Sequence, residues 1–331
     1  TQEEVGGLWN SVPENLLTLS PGQWMEFPFY PLAQHVQETG QSFDVNELII
    51  KRRLVDYYHR IPERFDVQQG VHTWERVTRV EPHPEGFLVS AADVSDWRDK
   101  DPVELRRPAF PQPMDSVEDS HATRQYTCRY LVYAVGQRCE LRSLGVPGED
   151  LPFVTQYYEK PAHFPGERVL VVGGGRSADW AATELYDAGK SVIYAMRQSS
   201  ANHWSLINQS RGGLPYYARL AEILEDDAGR LDTLYGATLS GIEASGDGGL
   251  VRMDVDGQAR TVEVDHVLKE IGGRADYSLL QGFESLQFVE KYDNYRFQVH
   301  QVKVHSHSYE SVDIPNLYPG GYLAEGLGLV V

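Results

Sequence analysis

Arg168-Val169-Leu170-Val171-Val172-Gly173-Gly174-Gly175-Arg176-Ser177-Ala178 decides how the rest of the chain is read. Arg168 to Val172 is a short apolar run, the pattern of a strand buried on both faces. Three glycines then turn the chain tightly. Ala178, Ala181, Ala182, Leu185 and Ala188 recur at helical spacing, and Gly189 ends that stripe. A second apolar run follows, Ser191-Val192-Ile193-Tyr194-Ala195-Met196. Strand, glycine turn, helix and strand within about 30 residues make one βαβ unit carrying a Gly-x-Gly-x-x-Ala fingerprint. Gly173 permits the turn, with Gly174 inside it, and Gly175 lets a pyrophosphate approach the backbone. Ala178 takes the small packing position. Arg176 and Ser177 open a helix whose free N–H groups and dipole favour an anion. The alternative is a tight turn that binds nothing.

The end of the second strand sets cofactor preference. An acidic residue there would bind the ribose 2′-hydroxyl of NAD. Met196-Arg197-Gln198-Ser199-Ser200 stands there instead, with no carboxylate in reach. A guanidinium pairs bidentately with phosphate oxygens, so Arg197, with Gln198 beside it, predicts NADPH rather than NADH.

The chain has 331 residues, which predicts about two domains. Hydrophobic residues make up 41% and charged residues 24%, which excludes wholesale disorder. A net charge of −18 argues against nucleic acid and anionic lipid as partners. No apolar run approaches the roughly 18 residues of a membrane span. Cys128 and Cys139 are the two cysteines, too few for a disulfide scaffold or a Cys-rich zinc site, and a reducing cytoplasm is the simplest compartment.

Elsewhere, Asp44 to Phe65 predicts an amphipathic helix with an Asp44/Glu47 capping box and a solvated basic run, Lys51-Arg52-Arg53. Val71 to Val80 and Phe87 to Ser90 predict hairpin strands around Pro82–Gly86. A polar surface loop is expected from Asp93 to Gln125. Asn202-His203-Trp204 and Gly212–Tyr217 read as a loop. If Val299–His307 is a strand, His305 and His307 share a face, but nothing nearby completes a metal set, so no metal site is expected.

Around the βαβ unit the flanking segments resemble a family. Tyr130-Leu131-Val132-Tyr133-Ala134-Val135-Gly136 with Leu144-Gly145-Val146-Pro147-Gly148-Glu149-Asp150 looks like the junction between the two halves of two-dinucleotide-binding-domain flavoproteins. Val264–Gly273 resembles the second such junction, and Ile314–Gly321 resembles the late flavin-facing segment. Gly6-Gly7-Leu8-Trp9 looks like the turn that follows the first flavin-binding unit. Within that superfamily the chain is most similar to thioredoxin-reductase-like proteins of the bacillithiol-disulfide-reductase type.

The resemblance implies an α/β fold of two nested Rossmann-like, doubly wound dinucleotide-binding domains, with the flavin domain incomplete. A flavin domain at 1–155 and 277–331 would be split around an NADPH domain at 156–276. It further implies an FAD-dependent NAD(P)H oxidoreductase passing a hydride from NADPH to FAD and then to a small-molecule or small-disulfide acceptor. FAD would be met by Gly6, Gly7, Trp9 and Gly136, with Gly272 at the second junction; a homodimer is common among relatives. The departures also carry predictions. The first flavin fingerprint would lie before Gly6, which predicts a piece of a longer protein. Gly320-Gly321 replaces the usual Gly-Asp, and no Cys-x-x-Cys pair lies between Leu170 and Gly273, which excludes thioredoxin reductase proper. A structural thiol is expected at Cys128, whereas Cys139, beside Arg138, is the candidate reactive one. No catalytic residue stands out. The rivals are a flavin-containing monooxygenase and a non-catalytic NADPH-binding sensor.

Overall fold

The computed structural model describes residues 5–100, 117–118, 120–136, 140–226, 229–292 and 298–325. Those residues fall into two compact units, one within Leu141–Gly272 and the other made of the described residues of 5–100, 117–140 and 273–325.

The Leu141–Gly272 unit is built on a five-stranded parallel sheet. Its spatial order is Leu231–Leu234, Ser191–Ala195, Arg168–Val172, His266–Lys269, Val154–Thr155. From Arg168–Val172 the chain steps outward twice, then returns to the other side of that same strand. Such a reversal opens a crevice beyond the carboxyl ends of the strands, where doubly wound sheets bind ligands. Side chains alternate along each strand. Leu170 and Val172 therefore share one face with Val154 and Val267. They meet Leu239, Ile242, Val251, Met253 and Val262 of an antiparallel meander (Ala237–Ser245, Gly248–Val255, Gln258–Val264) in one core. Each such side chain, buried, contributes about 1.5–3 kcal/mol. The helix Arg176–Asp187 packs against Arg168–Val172 and Ser191–Ala195 through its buried Ala178, Ala181, Ala182 and Leu185. Strand, turn, helix and strand stand as the periodicity predicts, except that Ala188 is the exposed C-cap.

In the other unit, Glu75–His83, Gly86–Asp93 and Thr123–Cys128 form an antiparallel sheet. Thr123–Gln125 thus belongs to a strand rather than to the expected polar loop, because it pairs with Ser90–Ala92; residues 101–116 of that loop lie outside the described residues. The helix expected from Asp44 starts at Lys51. Leu48–Ile50 pairs instead as a strand with Leu17–Pro21, and Asp44 Oδ1 accepts the Asn46 N–H at 2.8 Å in a local turn. Lys51 is only half exposed, and its Nζ donates to the carbonyls of Asn10 at 3.1 Å and Val12 at 2.7 Å. Leu54 and Tyr57 of this helix face a small core with Tyr30, Leu32 and Ile49. Two segments that carried the family resemblance lie side by side, Leu131–Tyr133 pairing in parallel with Leu317–Pro319.

The strand Gln298–Val302 ends before His305, so His305 and His307 do not share a strand face. Among the described residues no group of three or more His, Cys, Asp or Glu could hold a metal, and no helix is long and apolar enough to cross a membrane.

Candidate functional site

The reversal of strand order places Gly173 and Glu270 together at the carboxyl edge of the sheet. Gly173 donates its N–H to Ala195 O at 3.0 Å, and Glu270 donates to Val172 O at 2.7 Å. At Gly173 φ is +143°, and a Cβ would stand 2.2 Å from the Glu270 carbonyl oxygen. Only glycine closes this turn. The Gln198 Nε2 donates to Gly174 O at 2.8 Å and lies 2.7 Å from where a Cβ on Gly174 would be. Gly175 is the extended N-cap of Arg176–Asp187 (φ −107°, ψ 179°), with no side chain capping the helix. The result is a half-exposed backbone cradle at the positive end of a helix. Arg197 is exposed just past Met196. No carboxylate follows it before Ser210.

The cradle therefore gathers Gly173, Gly174, Gly175, Ser177, Ala178 and Gln198, with Arg197 one residue from Gln198. Arg176 leans on an aromatic pair: its guanidinium carbon lies 5.5 Å from the centre of the Tyr217 ring, which packs 4.4 Å from that of Tyr216. Gly6 and Gly7 lead into the turn Gly7–Ser11 of the other unit, where Trp9 packs on the Tyr30–Tyr57 core. Gly136 (φ +85°) follows the strand Leu131–Tyr133 of that unit. Gly272 belongs to the Leu141–Gly272 unit and accepts the Arg142 N–H at 3.1 Å. Among the described residues the flavin-side glycines form no second strand–turn–helix cradle. Cys128 packs at the margin of a core of Val80, Phe87 and Tyr133, and burial pushes its thiol pKa up, as in a structural thiol. Cys139 lies outside the described residues.

Two helices and two side-chain features escaped the sequence reading. Asn202-His203-Trp204 is not a loop but the first turn of the helix Ser200–Ser210, capped by Ser199, and Pro215–Glu225 is also helical. Behind the cradle sits a buried polar cluster. Asp179, wholly buried, accepts from the hydroxyls of Tyr194 at 2.7 Å and Tyr217 at 3.0 Å and from His203 Nε2 at 2.7 Å. His203 Nδ1 lies 3.3 Å from the Tyr235 hydroxyl. Burial, with the Asp179 carboxylate close by, holds the Tyr194 and Tyr217 phenols protonated far above their ordinary range.

The second feature is Lys269, at the carboxyl end of the strand His266–Lys269 and 1% exposed. Its Nζ has no hydrogen-bond partner among the described residues; Glu149 Oε1 stands 3.9 Å away. Burial lowers its pKa against the opposing pull of Glu149 and Asp150. Below the ordinary lysine pKa the unfolded chain holds the proton more tightly, so this group's penalty is greatest at low pH and fades as pH rises toward 10. Lys269→Met is expected to raise stability at pH 7, because a buried ammonium without a hydrogen bond gives way to an apolar chain of similar length, while Glu149 keeps Ser143 and the Gly145 N–H. The substitution should also flatten the rise in stability between pH 7 and 10, as read by urea unfolding at each pH.

A parallel sheet with a glycine cradle at its reversal point is the architecture of a dinucleotide-binding unit. Residues 116–321 match the pyridine nucleotide-disulphide oxidoreductase family, more than half of the chain. The chain belongs to that family and has the fold of its flavoprotein disulfide reductases. Among curated relatives, a ferredoxin–NADP reductase of Ignicoccus hospitalis is 38% identical over 74 residues, 22% of this chain and 24% of that protein. Mouse oxidative stress-induced growth inhibitor 1 is 24% identical over 238 residues, 67% of this chain and 46% of that protein. The chain thus matches less than half the length of either. Bacillithiol disulfide reductase from Bacillus cereus shares the fold at a TM-score of 0.70, with 20% identity over 98% of this chain and 82% of that one. A flavin-containing monooxygenase from Stenotrophomonas maltophilia does so at 0.58, with 18% identity over 97% and 81%.

Proposed function

We propose that the chain is part of an FAD-dependent NADPH oxidoreductase that reduces a small disulfide. The nucleotide half would lie around 156–276, with the flavin half on either side. The cradle at Gly173–Ala178 carries the reading: an uncapped helix start at the reversal point of the sheet, with a cation instead of a carboxylate after the next strand. When bound, the nicotinamide supplies a hydride and the flavin relays the electron pair to the acceptor. The chain's part is to bind and orient. Backbone N–H groups of Gly174–Ser177 would hold the pyrophosphate, Gln198 would wall the cradle, and Arg197 would pair with the 2′-phosphate. The family membership and the fold shared with bacillithiol disulfide reductase support a disulfide as acceptor.

The test is nucleotide titration of the full-length protein with Arg197→Ala beside it, followed by anaerobic NADPH addition under a visible spectrum. NADPH should bind at least about tenfold more tightly than NADH, and Arg197→Ala should erase most of that margin. A flavin band that bleaches with NADPH and recovers on adding a disulfide supports the reading. Recovery only with oxygen would move it to the monooxygenase, and a colourless protein that binds NADPH would make it a sensor.

A further inference from the structure

The buried cluster around Asp179 links five segments near the cradle. Asp179 sits one turn into the glycine-loop helix. Tyr194 lies on the strand leading to Arg197. His203 belongs to the helix that starts three residues after Arg197, and Tyr235 lies in the turn after Leu231–Leu234. That turn is bound to the Arg197 segment from its other side: Gly236 N–H donates to Gln198 O at 3.3 Å and Ala237 N–H to Met196 O at 2.9 Å. Tyr217, on the third helix, joins Asp179 to the aromatic pair under Arg176. With its proton on Nε2, His203 donates to Asp179 and accepts from Tyr235, so one imidazole spans the helix behind the pyrophosphate cradle and the turn behind Arg197.

Resting on the proposed NADPH reading, we infer that His203 is a positioning residue for nucleotide selectivity. Held between Asp179 and Tyr235, it fixes where Arg197–Ser200 stands relative to Gly173–Ser177, and hence how the 2′-phosphate meets Arg197 while the pyrophosphate is seated. His203 touches no nucleotide. Its effect falls on NADPH more than on NADH, because NADH carries no group for the Arg197 segment to find.

Dissociation constants for NADPH and NADH, measured on the full-length protein, test this with His203→Leu, His203→Gln and Tyr235→Phe. The leucine variant should weaken NADPH by about tenfold and NADH by less than about twofold. The glutamine variant, which keeps an N–H in reach of Asp179, should recover most of the difference. Tyr235→Phe, which removes one hydroxyl and leaves the core filled, should shift the ratio in the same direction and decides the matter if the leucine variant does not fold. An unchanged NADPH-to-NADH ratio with a lowered melting temperature would overturn the inference and leave His203 a packing residue. Arg197→Ala in the same series separates the failures: if it too leaves the ratio unchanged, the site reading falls; if it alone collapses the ratio, only the role of His203 does.

Discussion

Asp179→Ala is expected to destabilise the nucleotide unit by about 3–5 kcal/mol, the range seen when one partner of a buried charged cluster is removed. Three donors converge on this carboxylate, and none of them has water to turn to: Tyr194, Tyr217 and His203 are buried with it. Alanine leaves those groups unpaired and opens a small void among them. Asp179→Asn keeps the volume and one acceptor oxygen, but points an N–H at groups that are themselves donors, so it recovers only part of the loss. Asp187, at the end of the same helix, supplies the comparison. Its carboxylate pairs with Arg219 at the surface, where solvent screens the pair, so Asp187→Ala costs far less. Urea unfolding of the three variants reads this directly, and equal midpoints for Asp179→Ala and Asp187→Ala would refute the account.

Gly173→Ala should disable dinucleotide binding altogether, by about a hundredfold or more in NADPH affinity. The new methyl would meet the Glu270 carbonyl at 2.2 Å. That atom cannot swing aside, because Glu270 is tied through its own N–H to Val172. The turn must open, the Gly173 to Ala195 hydrogen bond is lost, and the helix start moves off the sheet edge. The folding cost is about 2–4 kcal/mol, from backbone strain and overpacking together. Gly189 is the control. It also has a positive φ, +88°, but a Cβ there meets nothing within 4 Å. Gly189→Ala therefore carries only the left-handed penalty of about 1–2 kcal/mol and leaves NADPH binding intact. Isothermal titration with NADPH distinguishes them; similar losses in both would mean that the turn geometry at Gly173 does not matter to the ligand.

The βαβ unit was legible because its signal is local: four apolar residues, three glycines and an alanine stripe lie within one short window. The helix Ser200–Ser210 was missed because its apolar face is thin. Ser199 was a usable cap signal, since its hydroxyl does accept the Asn202 N–H, yet Asn202 and His203 read as loop residues. The Asp179 cluster could not be read at all. Asp179 looks like any polar residue in the first turn of a helix, and its partners lie up to 38 positions away, so only the fold reveals that they converge. The Asp44 capping box failed for the opposite reason. A correct local pattern was overridden when Leu48–Ile50 found a strand partner in Leu17–Pro21. The flavin side was legible only as a set of junctions, and Trp9 shows why: it packs into a small aromatic core that needs no ligand to explain it.

The strand order has one further consequence, in time rather than in space. His266–Lys269 lies between Arg168–Val172 and Val154–Thr155, so an interior place in the sheet is filled by a strand made nearly a hundred positions after its neighbour Arg168–Val172. During synthesis both neighbours must wait with open edges while the meander is built. Contacts of such long sequence separation slow folding and expose aggregation-prone edges. In a nascent chain, protease resistance of the Leu141–Gly272 unit should therefore appear only once Lys269 has cleared the ribosome.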